Sequence, residues 1–187
     1  MRAPSEAYAA AAIMEGPIEE SPTDSLERIY EEHFAFVWRS LRAFGVQPAL
    51  LEDATQEVFL VVHRRAKDFE HRSSLRTWLF GIAHRVAANF RRSAKRRPTQ
   101  SLAGELLSEH PSPEQHAQRA ETALFVERFL NETNEEQRAV FVACMLEEMS
   151  VPEAAEALGV NVNTLASRLR TVRAKFVTAL AKREPQR

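Results

Sequence analysis

The sequence has one cysteine, Cys144, five glycines, a net charge of only −1, and no apolar run of membrane-spanning length. One cysteine excludes an internal disulfide and a cysteine-built zinc site. Cys144 lies in an apolar helical run and reads as a buried, inert thiol, in keeping with a reduced, cytoplasmic setting. Without roughly 18 consecutive apolar residues, no membrane insertion is expected. "AYAAAAIM" at 7–14 is flanked by acids and has no basic segment before it, so it is not read as a secretion signal. Few glycines and no strand-like alternation favour helix over sheet. The six histidines show no metal-ligand spacing. No glycine-rich phosphate loop or nucleophile constellation appears. No catalytic residue, metal or cofactor is expected. The chain is not read as an enzyme. Asp53 and Glu57 form an acidic i, i+4 pair, which reads as a solvated or partner-binding face rather than a metal site.

What is present is a chain of 187 residues, 44% hydrophobic and 27% charged, within the range of globular proteins. Residues 1–24 mix alanine, proline and acids and read as a flexible lead-in. "DSLERIYEEHFAFVWRSLRAFG" then places Leu26, Ile29, Tyr30, Phe34, Val37, Trp38 and Leu41 on one helical face, with Asp24 as N-cap and Gly45 as stop. A second helix is expected over about 48–66 and a third over "SLRTWLFGIAHRVAANFRR" (74–92). The pattern fails over 95–114, where Pro98, Pro111 and Pro113 sit among Ser, Glu and His, the composition of a linker. Further helices are expected near 115–131, 134–147, 151–158 and 162–182. The reading is all-α, with two small helical domains, 25–94 and 115–183, on a tether.

"SVPEAAEALGVNVNTLASRLRTVRAKF" (150–176) has the chemistry of a helix-turn-helix, placed at about 151–171. Ser150 and Glu153 fit a capping box, and Pro152 suits the first turn. Gly159 permits the sharp bend. Asn163, Thr164, Ser167, Arg168, Arg170 and Arg173 take the outer positions of the second helix, able to bond phosphates and base edges. Leu165, Leu169, Val172 and Phe176 face inward.

A second signal runs from Arg64 to Arg97, where eleven basic residues face only Asp68 and Glu70. Such a patch would bind phosphate and make binding salt-dependent. Phe69 and Trp78 lie beside it, where aromatics can stack on unpaired bases. Trp78 reads first as a core residue, and the loop "FEHRSS" is better placed to hold a base. A third stretch, "EDATQEVFLVVHRRA" (52–66), is by periodicity alone an amphipathic helix with a solvated polar face.

In this order the three stretches resemble the sigma factors of bacterial RNA polymerase, in particular the extracytoplasmic-function group. "DATQEVFLVVHRRA" is similar to region 2.2 and "SLRTWLFGIAHRVAANFRR" to regions 2.3 and 2.4. "NEEQRAVFVACMLEEMSVPEAAEALGVNVNTLASRLRTVR" is similar to region 4. The resemblance implies roles by position. Asp53, Gln56, Glu57 and Leu60, in a core-binding motif over 53–66, would dock on the β′ clamp helices of core RNA polymerase, with the β flap as a further partner. Over 69–92, the loop with Phe69, Arg72, Ser73 and Ser74 would take a flipped −10 base. Arg76, Trp78, His84, Arg85, Asn89 and Arg92 would read or steady the melted promoter strand. Asn163, Thr164, Ser167 and Arg168 would sit at the −35 element, with Arg170 and Arg173 nearer phosphates. The linker, with Glu105, Glu109 and Glu114, would follow a path otherwise taken by RNA. An anti-sigma factor would be a further partner. Many members have an acid where this chain has Asn89, and a basic residue where it has Ala166.

Two alternatives stand beside this. A free-standing helix-turn-helix regulator accounts for 150–176 but leaves "EDATQEVFL" unused. A sigma mimic that titrates an anti-sigma factor fits the departures but not the intact basic faces.

Overall fold

The computed structural model describes residues 22–69, 73–96 and 113–183. The lead-in up to residue 21, the loop residues 70–72 with Arg72, and the segment 97–112 lie outside the described residues, as does the side chain of Glu114. The described chain forms seven α-helices and no strand: α1 (Pro22–Ala43), α2 (Leu51–Arg65), α3 (Leu75–Arg96), α4 (Pro113–Glu132), α5 (Glu135–Phe141), α6 (Val151–Leu158) and α7 (Val162–Arg183). Helix α1 begins at Pro22, so Asp24 lies inside its first turn rather than at the N-cap.

The first three helices pack on one another through the apolar faces that the periodicity marks out. Val37, Leu41, Val58, Val62, Leu79 and Phe80 are fully buried. Gly45, in the left-handed region at φ 84°, closes α1. Around it, the Val46 amide donates to the Leu41 carbonyl at 3.2 Å and the Gly45 amide to the Arg42 carbonyl at 2.8 Å. A short 3-10 turn, Pro48–Leu50, then leads directly into α2.

The second group winds α4 to α7 around Phe129, Phe141, Leu165 and Val172. Phe141 meets Phe129 at 5.1 Å and Phe176 at 5.0 Å between ring centroids. Asn134 caps α5 by accepting from the Gln137 amide at 2.8 Å. The single helix expected over 134–147 divides. Helix α5 stops at Phe141, and Val142–Leu146 form a π-helical turn, followed by Glu148 at φ 55°. No Gly or Pro marks this point in the sequence, and π-turns of this kind concentrate at functional positions. The capping box at α6 is present: Ser150 accepts from the Glu153 amide, and the Glu153 carboxylate accepts from the Ser150 amide at 2.9 Å. These bonds to Ser150 hold the Glu153 carboxyl below its usual value. Gly159, at φ 66°, makes the bend into α7.

The two groups are packed on one another through a shared hydrophobic core. Gly81, in the middle of α3, faces α6 so closely that a β-carbon there would lie 2.7 Å from the Ala157 carbonyl oxygen. A glycine inside a helix is unfavourable by roughly 1 kcal/mol against alanine, and here the space it frees lets two backbones meet.

Candidate functional site

On α2, the register that buries Ala54, Val58 and Val62 turns Asp53, Gln56 and Leu60 outward and leaves Glu57 half-buried. Leu60 is 54% exposed on a helix that otherwise hides its aliphatic residues. Glu57 pairs with Arg64 about two turns away, at 2.7 Å. These four residues form one wall of a groove of about 570 Å³ between α2 and α3, and Arg85, Asn89 and Phe90 line the other. The acidic and the basic surfaces read separately in the sequence thus share one cleft. Asn89 accepts a hydrogen bond from Arg92, one turn further along α3.

At the start of α3, the Ser74 side chain accepts from the Thr77 amide at 3.1 Å and bonds the Thr77 hydroxyl at 2.8 Å. Ser73 is half-buried beside it. Phe69 and Trp78 meet at a tilt, 5.0 Å between centroids, and Trp78 is partly buried against the core. One aromatic pair therefore borders both the core and the start of the basic helix. Arg76 points elsewhere, toward the second helical group, and His84 toward the end of α1. Arg76 is bonded to Glu147 at 2.8 Å. His84 packs edge-on against Phe44 at 5.3 Å.

Burial lowers the His84 pKa from its ordinary 6.5, aided by Arg85 and Arg91 and opposed by Glu135. The folded protein thus favours neutral His84. Its contribution to stability is complete above 6.5 and is lost as pH falls from there through the lowered folded value. The melting temperature of the wild type is expected to fall more between pH 7 and pH 5 than that of His84→Gln, as followed by thermal unfolding across that range.

On α7, Asn163, Thr164, Ser167 and Arg170 are exposed. The Asn163 amide donates to the Asn161 side chain at 2.9 Å, ordering the first turn. Arg168 is paired with Glu136 of α5 at 2.9 Å, and Arg173 reaches the sulfur of Met145 at 3.2 Å. The outward face is therefore polar and basic, held by Leu165, Leu169 and Val172 beneath it.

Comparison with known families places Sigma-70 region 2 on residues 29–97 and Sigma-70 region 4 on residues 126–176. The chain is 30% identical over 156 residues to the ECF RNA polymerase sigma factor SigM of Mycobacterium tuberculosis, covering 83% of this chain and 77% of that one. The chain belongs to the sigma-70 family. Its relatives place it in the extracytoplasmic-function (ECF) group. It is also 30% identical over 163 residues to the RNA polymerase sigma factor CnrH of Cupriavidus metallidurans, covering 82% and 85% of the two chains. The fold matches that of CnrH in complex with the cytosolic domain of CnrY, at TM-score 0.66 and 23% identity over 87% of this chain and 91% of that one. It matches equally well, at TM-score 0.66 and 16% identity, that of RpoE of Bartonella quintana in complex with the anti-sigma factor NepR, over 86% and 99%.

In this sigma factor the seam between the two helical groups holds charged residues that the sequence reading passed over. Arg138 is buried and donates from Nε to the Leu130 carbonyl at 3.0 Å and from Nη1 to the Phe44 carbonyl at 3.0 Å. Glu147 is buried between Arg76 and Arg39. Burial pushes its carboxyl up, against the opposing pull of Arg39 and Arg76. Gly81 was the one available signal, since a helix-interior glycine flanked by large apolar residues implies close approach of another backbone. A largely apolar cavity of about 770 Å³ also opens on the seam between the end of α1 and α4, away from the basic faces. Among the described residues, no group of three or more histidine, cysteine or acidic side chains is arranged to hold a metal, and no helix is long and apolar enough to cross a membrane.

Proposed function

We propose that this sigma factor docks on the β′ clamp helices of core RNA polymerase through Asp53, Gln56, Glu57 and Leu60, and directs initiation at promoters with −35 and −10 elements. The observation that carries this is the exposed leucine and its polar companions on one face of α2, in a chain with matched region 2 and region 4 segments. The −10 strand is assigned to Phe69, Arg72, Ser73, Ser74, Trp78, Arg85, Asn89 and Arg92, with Arg76 and His84 joining them when the seam is open. The −35 duplex is assigned to Asn163, Thr164, Ser167, Arg168, Arg170 and Arg173, with region 4 on the β flap. Residues 25–94 and 115–183 act as two domains, 95–114 as their linker and 1–24 as a lead-in. The polymerase supplies the bond-forming chemistry and this chain none. It works in the cytoplasm, and an anti-sigma factor holds it until needed, as the complex of the similarly folded RpoE suggests.

The energetics are those of two linked modules. Extracting a base from the stack costs a few kcal/mol. Stacking and basic contacts worth about 1–3 kcal/mol each offset it. Tethering raises the effective concentration of the second module once the first has bound.

The test is co-elution with core polymerase on a sizing column. Wild type is expected to co-elute stoichiometrically. The double variant Gln56→Ala, Glu57→Ala, with both changes outside the core, is expected to bind at least about tenfold more weakly. DNA binding without co-elution would instead support a free-standing regulator. Neither activity would support a sigma mimic.

A further inference from the structure

The seam joins surfaces that the proposed function uses separately. Arg76 belongs to the −10 set, yet here its guanidinium lies 4.6 Å above the Phe36 ring and donates to the Glu147 carboxylate at 2.8 Å and to the Glu147 backbone carbonyl at 3.2 Å. Glu147 comes from the other helical group. Its side chain is only 7% exposed, whereas that of Arg76 is 49% exposed. Its second partner, Arg39, stands off at 3.9 Å and is 61% exposed.

The backbone beneath Glu147 is unusual in two ways. It follows the π-helical turn Val142–Leu146 and precedes Glu148, a non-glycine residue at φ 55°. Left-handed backbone at a glutamate persists only where the surroundings hold it. Here it aims a carboxylate into the seam, where its cationic partners are Arg76 and the more distant Arg39. A carboxylate in such a place destabilises the closed seam unless a cation stays with it, and taking away one partner of a buried pair is far worse than neutralising both.

Resting on the assignment of Arg76 to the −10 strand, we propose that Arg76 is the latch of this seam: it makes the burial of Glu147 tolerable, so that a DNA strand capturing Arg76 releases the two helical groups from each other. The direction matters for function. The −10 and −35 elements are centred about 25 base pairs apart, roughly 85 Å at 3.4 Å per pair. A folded chain of this length is only roughly 40 Å across. A closed seam therefore cannot serve both elements at once. The linkage is reciprocal, so a closed seam weakens strand binding by the factor with which the strand opens it.

The test follows the seam in the free full-length protein, with fluorophores on His63→Cys and Val177→Cys in a Cys144→Ser background and energy transfer as the readout. Wild type is expected to be closed. Arg76→Ala is expected to raise the open-to-closed ratio by about tenfold, because Glu147 is left buried with Arg39 alone. Glu147→Gln is expected to stay closed, and Arg76→Ala with Glu147→Gln to return to the closed state, which separates a latch from a fold-breaking substitution. An Arg76→Ala protein as closed as wild type would overturn the latch. So would a double variant as open as Arg76→Ala, since packing on Phe36 rather than charge would then hold the seam. A single-stranded DNA 12-mer is expected to open wild type and to leave Glu147→Gln closed. Saturating binding without opening would overturn the coupling. If the strand fails to bind while the variants behave as expected, the −10 assignment of Arg76 falls and the charge latch stands. Co-elution with polymerase tests the wider reading independently.

Discussion

Replacing Arg138 by alanine is expected to destabilise the fold by about 3 kcal/mol, lowering the melting temperature by roughly 6–12 °C in a chain of this size. The side chain is 7% exposed and ties the ends of two helices together. Its loss acts unequally on its two carbonyl acceptors, and also takes a 3.3 Å bond from the Asn131 side chain. The Leu130 carbonyl keeps the Thr133 amide at 3.2 Å and the Thr133 hydroxyl at 2.8 Å. The Phe44 carbonyl, at the close of α1, loses the guanidinium Nη1 at 3.0 Å. The vacated space is the one beside Gly45, where a β-carbon would collide with the Arg138 guanidinium. Arg138→Lys is expected to recover only part of the loss, because one ammonium cannot reach both carbonyls as the planar fork does. Urea and thermal unfolding of the three proteins check this. A change of less than 1 kcal/mol in Arg138→Ala would show that water replaces the fork without loss.

The second large effect is expected on duplex DNA. Arg170 is exposed, and Arg173 touches only a thioether among the bonds described for it, so both can close on phosphates without breaking an ion pair. Each phosphate contact adds about 0.9 to the slope of log affinity against log salt. Arg170→Ala with Arg173→Ala is therefore expected to flatten that slope by about 1.8, a loss of roughly thirtyfold at 0.15 M salt. Adding Arg168→Ala is expected to have a smaller effect, because Arg168 must first leave Glu136, its partner at 2.9 Å. Anisotropy titrations of a labelled 20-base-pair duplex over a range of salt concentrations measure all three slopes. An unchanged slope in the double variant would remove α7 from the DNA face.

Much of the site could be read from residue order because its signals are local. The capping box at Ser150 and Glu153, the bend at Gly159 and the burial of Leu165, Leu169 and Val172 follow from spacing within a single turn or two. The α2 face is also local, since helical period alone separates Asp53, Gln56 and Glu57 from Val58 and Val62, although the exposure of Leu60 beside them is a finding of the structure. Periodicity could not say whether an exposed polar face is solvated or bound. That depended on resemblance, and the structure adds the groove that joins this face to Arg85 and Asn89.

The sequence by itself determined the helices, their buried faces and the membership of its two segments in the sigma-70 family, because these depend on periodicity, capping and motif order along the chain. Only the tertiary structure decided that the two helical groups share a core, and that Arg76 spends its charge on Glu147, 71 positions away. It also decided that the expected helix over 134–147 yields to a π-turn and a left-handed Glu148. The physical reason is the same for all three. Burial of a charge and strain in a backbone are set by what arrives from a distant part of the chain, and no pattern of neighbours in sequence records that arrival.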